Sequence, residues 1–166
     1  MKKGSFVYLH TGSNLRNRLE NLSKVNQYIE QYIGKIEAVS NIYETEAWGV
    51  TDQPNFYNQA LKVSTMLNPV EVLKKVLWIE SEFFNRIREQ KWAARIIDID
   101  VLLYDDLILE TENLVIPHPY LHQRNFVLIP LMEVAGELEH PKLKQTIEDL
   151  YWQSEDTLEV FALEND

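Results

Sequence analysis

The sequence predicts an α+β fold: a ferredoxin-like antiparallel sheet with helices packed on one face and a ligand site on the other. Three observations predict it. Strand-like and helix-like apolar periods alternate in the order β-α-β-β-α-β. Both helical stretches carry start and stop signals. One strand, 95–104, sets two carboxylates on the face opposite its apolar residues. With 166 residues the chain is long enough for one packed core, so residues 1–166 are expected to form a single domain, with an acidic tail after about residue 141 that is peripheral apart from a docked turn at Ile147, Leu150, Tyr151 and Trp152.

Phe6–Leu9 predicts a short strand, and Thr11-Gly-Ser-Asn14 a turn with Ser13 or Asn14 as helix cap. Apolar residues at Leu15, Leu19, Leu22, Val25, Ile29 and Ile33 follow a helical period closed by Gly34. A strand over Lys35–Tyr43 comes next. An aperiodic stretch, 44–55, holds Gly49, Pro54 and Trp48. Phe56–Met66 predicts a strand. Asn68-Pro-Val-Glu71 then predicts a helix start, with a cap, a proline at the first helical position and a glutamate three residues on. That helix carries Val72, Val76, Ile79 and Phe83 and ends near Asn85. After a loop over 86–95, the aspartate strand turns at Asp105-Asp106 into a short partner, Leu107–Leu109. Two prolines keep 114–120 extended, and Arg124–Ala135 predicts a short or proline-broken helix.

Composition narrows the function classes. Formal net charge is −10, which argues against a broad nucleic-acid or anionic-membrane surface. With Cys 0, disulfides, thiolate metal sites and a cysteine nucleophile are absent. The apolar run near the N-terminus is too short for a signal peptide, and no stretch is long enough to span a bilayer as a helix. A cytoplasmic monomer acting on small molecules is the expectation.

The chemistry centres on Arg95-Ile-Ile-Asp-Ile-Asp-Val-Leu-Leu-Tyr104. As a strand it points Ile97, Ile99, Val101 and Leu103 one way. Asp98 and Asp100 point the other, with Cβ atoms roughly 7 Å apart. Burying two like charges costs several kcal/mol each unless a cation joins them. Magnesium is the simplest partner, since it takes one or two carboxylates together with phosphate oxygens; a solvated pair is the alternative. Arg86, Arg88, Lys91 and Arg95 supply a quarter of the 16 basic residues just before the pair, and the arginine fork suits phosphate. The same loop also fits a solvated helix end. Trp92 can stack on a flat ligand or pack. His118, between two prolines, can bond phosphate or backbone, with Arg124 nearby in sequence. Trp48, Phe56, Asn58 and Phe126 are candidates for a flat heteroaromatic ligand, or for the core. No P-loop and no Gly-x-Gly-x-x-Gly occurs.

These motifs together resemble the 6-hydroxymethyl-7,8-dihydropterin pyrophosphokinase family of folate biosynthesis, also called 2-amino-4-hydroxy-6-hydroxymethyldihydropteridine diphosphokinases. The resemblance runs from about Phe6 to about Leu138. It rests on Gly12-Ser-Asn-Leu15, Tyr43-x-Thr45, Asp52-Gln-Pro54, Asn58, Arg86-x-Arg88, Trp92-x-x-Arg95, Asp98-Ile-Asp100, Pro117-His-Pro119 and Arg124-x-Phe126. It implies transfer of pyrophosphate from ATP, bound with two Mg2+ ions, to the pterin hydroxymethyl group, releasing AMP. By resemblance, Asp98 and Asp100 are the metal ligands and catalytic, together with Arg86 and Arg95. Glu80, Arg88, Trp92, His118 and Arg124 are ATP contacts. Thr45, Trp48, Phe56, Asn58 and Phe126 are pterin contacts. The chain has Trp92-Ala-Ala-Arg95 where the family usually has Trp-Gly-Pro-Arg, and Glu46 where proline is common. The alternative is a catalytically silent relative that binds nucleotide or pterin.

Overall fold

The computed structural model describes residues 3–46, 53–85 and 96–163. Trp48, Arg86, Arg88, Lys91, Trp92 and Arg95 lie outside the described residues. In chain order the elements are β1 (Ser5–Ser13), α1 (Arg18–Tyr32), β2 (Lys35–Val39), β3 (Tyr43–Thr45), β4 (Phe56–Thr65), α2 (Pro69–Phe84), β5 (Asp98–Tyr104), β6 (Leu109–Glu110), β7 (Val115–Ile116), α3 (Asn125–Ala135), α4 (Ile147–Gln153) and β8 (Val160–Ala162). A single 3-10 turn, Leu121–Gln123, precedes α3.

The main sheet is antiparallel. β1 lies between β5 and β4, and the far edge of β4 carries β2 and β3 end to end. The strand expected over 35–43 is thus two shorter ones, broken at Ser40. The Ser40 hydroxyl accepts the Ala60 N–H at 2.9 Å and its backbone N–H donates to the Ala60 carbonyl.

Local chemistry accounts for the helices. Asn17 caps α1 by accepting the Glu20 N–H at 3.1 Å. The expected turn at 11–14 is not there. β1 runs through Thr11, Gly12 and Ser13, so the helix starts three residues later than Leu15. Asn14 instead donates to the Gln53 side chain and the Pro54 carbonyl, both at 3.2 Å. Gly34 is needed for close approach, since a Cβ there would run into the Ser64 carbonyl oxygen of β4. At α2 the expected capping box forms. Asn68 accepts the Glu71 N–H at 2.9 Å, and Glu71 accepts the Asn68 N–H at 3.0 Å. Asn85 ends the helix in the left-handed region, φ 50°.

Two apolar clusters sandwich the sheet, so helices pack on both of its faces and not on one alone as expected. One joins Leu22, Val25 and Ile29 of α1 and Val72, Val76 and Ile79 of α2 to Val7, Leu9, Leu61, Val63, Ile97, Ile99 and Val101. The other joins Tyr8, Ala60, Leu102 and Leu103 to Val127, Leu128 and Leu131 of α3 and to Ile147 and Leu150 of α4. Leu103 therefore lies on the opposite side from Ile97, Ile99 and Val101, not with them as the strict alternation predicts. The cause is a bulge. Leu9 pairs with Val101 and Tyr8 with Leu103, so Leu102 is an extra residue and the side-chain order reverses after it.

The segment after Pro141 docks through Ile147 and Leu150 as expected, but the rest of it is built into the fold too and is not peripheral. Ile147 is fully buried, and β8 pairs with β3. Asp156 accepts the Asn125 N–H at 2.8 Å, which caps α3 where Arg124 makes no side-chain cap. Acidic composition hid this role because the contacts are made by a few residues spread along a polar stretch.

Candidate active site

Two rows of residues cross the sheet at the start of β5. In one, Gly12 of β1 stands opposite Asp98 on one side and Asn58 on the other, with Tyr43 beyond. In the next, His10 stands between Asp100 and Ala60. Directly opposed residues share a sheet face, so Asp98, Gly12, Asn58, Asp100 and His10 face the same way. That is the side opposite Ile97, Ile99 and Val101, which are in the α1–α2 cluster. The aspartates are half-buried. Two strand spacings separate Asn58 from Asp98, about 10 Å, and Gly12 puts no side chain of its own between them. A Cβ at Gly12 would stand 3.5 Å from Asn58 Oδ1 and 3.6 Å from the Phe56 ring.

Asn58 is held in one orientation. It is 2 % exposed, and its Nδ2 donates to Thr45 Oγ1 at 2.9 Å and to the Tyr43 carbonyl at 3.4 Å. Its Oδ1 is thereby turned toward Gly12. Thr45, Phe56 and Asn58, expected together as pterin contacts, do come together at the paired ends of β3 and β4.

His118, Arg124 and Phe126 also gather here. The His118 backbone N–H bonds to the Leu102 carbonyl of β5 at 2.9 Å. Its Nδ1 accepts the Tyr120 N–H at 3.2 Å, which puts the ring proton on Nε2. Burial first, then the Arg124 cation, lower the His118 pKa to about 4 against the opposing pull of Asp98. His118 is therefore neutral at pH 7 and offers one Nε2–H donor. The Arg124 guanidinium lies 4.9 Å from the Tyr120 ring and 5.8 Å from the Phe126 ring.

Glu80, expected as a nucleotide contact, is 1 % exposed, and its Oε2 accepts the Ile99 N–H at 2.8 Å. Ile99 lies between the two aspartates. His10 was missed by the sequence reading. It is 4 % exposed, edge-on to Phe126 at 5.7 Å, and its Nε2 bonds the Phe126 carbonyl at 3.2 Å. Burial lowers its pKa to about 4, against the opposing pull of Asp98. A histidine in an apolar strand signals nothing until the strand's neighbours are known.

The donor set fits a hard cation. Two aspartates on one face supply oxygen only, and no group of three His, Cys, Asp or Glu able to hold a metal occurs among the described residues. Magnesium suits such a sparse site because it keeps water and substrate oxygens in its shell.

Fold and site together define a mixed helix and antiparallel-sheet protein whose paired carboxylates and cationic groups suit a phosphate-bearing ligand. Comparison with known proteins narrows this. A family model described as 7,8-dihydro-6-hydroxymethylpterin-pyrophosphokinase (HPPK) matches residues 8–136. A 2-amino-4-hydroxy-6-hydroxymethyldihydropteridine pyrophosphokinase of Aquifex aeolicus is 39 % identical over 156 residues, 94 % of this chain and 95 % of that one. The protein of the same name from Bacillus subtilis is 38 % identical over 136 residues, 81 % of each chain. The chain belongs to the HPPK family. Among solved structures, a Plasmodium falciparum HPPK-DHPS matches with a TM-score of 0.75 at 21 % identity, over 92 % of this chain and 44 % of that longer one, a likeness of fold.

Proposed function

We propose that this protein transfers pyrophosphate from ATP to the hydroxymethyl group of 6-hydroxymethyl-7,8-dihydropterin, releasing AMP, a step of folate biosynthesis. The observation that carries the reading is the row Asp98–Gly12–Asn58, a glycine between a carboxylate and an amide, in a chain of the HPPK family.

Each residue has a task in this reading. The Asn58 amide, fixed by Thr45 and Tyr43, offers Oδ1 to the N–H edge of a pterin. Phe56 and Phe126 offer ring faces, with Trp48 as a further pterin contact. Asp98 and Asp100 hold two Mg2+ ions with ATP. Those ions, when bound, neutralise phosphate charge and draw phosphate oxygens to the carboxylate face. His118 donates Nε2–H to a nucleotide oxygen, and Arg124 sets a cation beside it. Arg86 and Arg95 stabilise the transferring group, while Arg88 and Trp92 cover ATP. Glu80 serves the nucleotide site from below, through the Ile99 N–H. Residues 1–166 act as one ferredoxin-like domain with the ligands opposite α1 and α2. The strand order β5-β1-β4-β3 and the α1–α2 cluster support that arrangement, with α3 covering part of the ligand face. A cytoplasmic monomer without nucleic-acid or membrane partners completes the proposal. No helix among the described residues is long and apolar enough to cross a membrane.

The test is product analysis with the hydroxymethyl dihydropterin, ATP and magnesium. AMP formed in step with pterin diphosphate is expected. ADP in place of AMP, or no AMP above a blank, overturns the reading.

A further inference from the structure

We infer that His10 is a positioning residue for substrate, acting through Phe126; the inference rests on the reading of Phe126 as a pterin contact. Three observations meet at this pair. First, Phe126 lies in the first turn of α3, where its carbonyl would take the N–H four residues on. That residue is Pro130, which has no N–H. The Phe126 carbonyl is thus deprived of its helical donor by the sequence itself. Second, His10 reaches across from the middle of the sheet and brings Nε2 to 3.2 Å from that carbonyl. As the carbonyl can only accept, Nε2 carries the proton and donates. Third, the His10 ring meets Phe126 edge-on, at 5.7 Å and 67°. Imidazole and phenyl are therefore fixed to each other both at the backbone and at the ring.

The position of His10 gives this bond its consequence. His10, on β1, stands directly opposite Asp100 of β5 and one row from Gly12. Across β4 its neighbour is Ala60, too small to fill the space beneath α3. The imidazole fills it, so the height and tilt of Phe126 over the sheet are set by a residue anchored in the same strand pair as the metal-binding aspartates. One element thereby fixes the distance between an aromatic wall and the carboxylates. Substitution of His10 leaves the Phe126 carbonyl without a donor and the ring without its edge partner, while Asp98, Asp100, His118 and Arg124 remain.

The experiment compares the intact protein with His10→Ala and His10→Gln. A glutamine amide can place an N–H near where Nε2 now lies. His10→Ala is expected to raise KM for the pterin by about fivefold to tenfold, the worth of roughly one hydrogen bond, with KM for ATP changed less than about twofold. His10→Gln is expected to recover most of the loss. A 15N spectrum of the ligand-free protein is expected to show His10 protonated at Nε2 and bare at Nδ1. A bare Nε2 overturns the inference and leaves the pterin reading intact. Equal loss of pterin and ATP affinity in a folded His10→Ala protein, or no loss of either, also overturns it. Failure of the unsubstituted protein to bind pterin despite an Nε2–H His10 overturns the substrate reading and this inference with it.

Discussion

Glu80 and Ile99 are joined by one hydrogen bond, Ile99 N–H to Glu80 Oε2 at 2.8 Å, that pins the middle of the aspartate strand. Among the described residues β5 is an edge strand, so one side of it has no neighbour there in the sheet. α2 fills the gap with a buried carboxylate at the residue between Asp98 and Asp100. Glu80→Ala removes this acceptor from a buried N–H, an expected loss of about 1–3 kcal/mol in urea unfolding. The magnesium concentration for half-maximal AMP formation should rise about tenfold, as supporting partners of metal ligands typically dictate. Glu80→Gln keeps an acceptor oxygen and should recover part of both. An alanine variant with unchanged stability and unchanged magnesium dependence would show that the bond positions nothing.

Asp98 and Asp100 carry the reaction in the proposed reading. They face away from the α1–α2 cluster and are half-buried. Asp98→Ala and Asp100→Ala should each lower the rate of AMP formation by about a hundredfold or more, with the protein still folded. Chelation of magnesium should abolish turnover of the unsubstituted protein. Near-normal rates in either variant would refute the metal role.

Gly12 separates binding of the two substrates. It lies in an ordinary extended strand, and an added Cβ would make only van der Waals contacts, the nearest at 3.5 Å to Asn58 Oδ1. Gly12→Ala should therefore fold normally. Its methyl group occupies the strip between Asn58 and Asp98, so pterin affinity should fall by about tenfold while ATP affinity holds. Calorimetric titration with each ligand checks this, and equal affinities for the pterin in both proteins would place the pterin elsewhere.

The sequence showed some of this site and concealed the rest for a physical reason. The capping box at Asn68 and Glu71, the helix end near Asn85 and the shared face of Asp98 and Asp100 are local, and local rules predict them. What depends on strand partners was illegible. Gly12 was taken for a turn because a glycine beside serine and asparagine usually marks one; only the pairing with Asp98 and Asn58 reveals a floor. His10 gained meaning from Pro130, which is 120 positions away. Leu103 was assigned to the wrong side because no residue in β5 announces the extra position at Leu102. The role of Asp156 as the cap of α3 likewise needs the chain to return from α4.

Acid should destabilise the fold through a histidine far from the aspartates in sequence. His140 is 3 % exposed, and its Nδ1 accepts the N–H groups of Lys142 at 3.2 Å and Leu143 at 3.0 Å. Burial first, then the neighbouring His122 and Lys142, lowers its pKa from 6.5 to about 4. Between those values the unfolded chain takes up a proton that the folded chain refuses. Stability from this group is therefore full above about pH 6.5 and is lost as pH falls toward 4. By pH 5 the loss is roughly 2 kcal/mol. His140→Asn provides an oxygen that can accept the same N–H groups and has no proton to gain. His10 and His118 titrate in the same direction but are present in both proteins and cancel in the difference. In urea unfolding the stability of the unsubstituted protein relative to His140→Asn should therefore fall by roughly 2 kcal/mol between pH 7.5 and pH 5. Parallel pH curves for the two proteins would mean that His140 is not held neutral by these bonds.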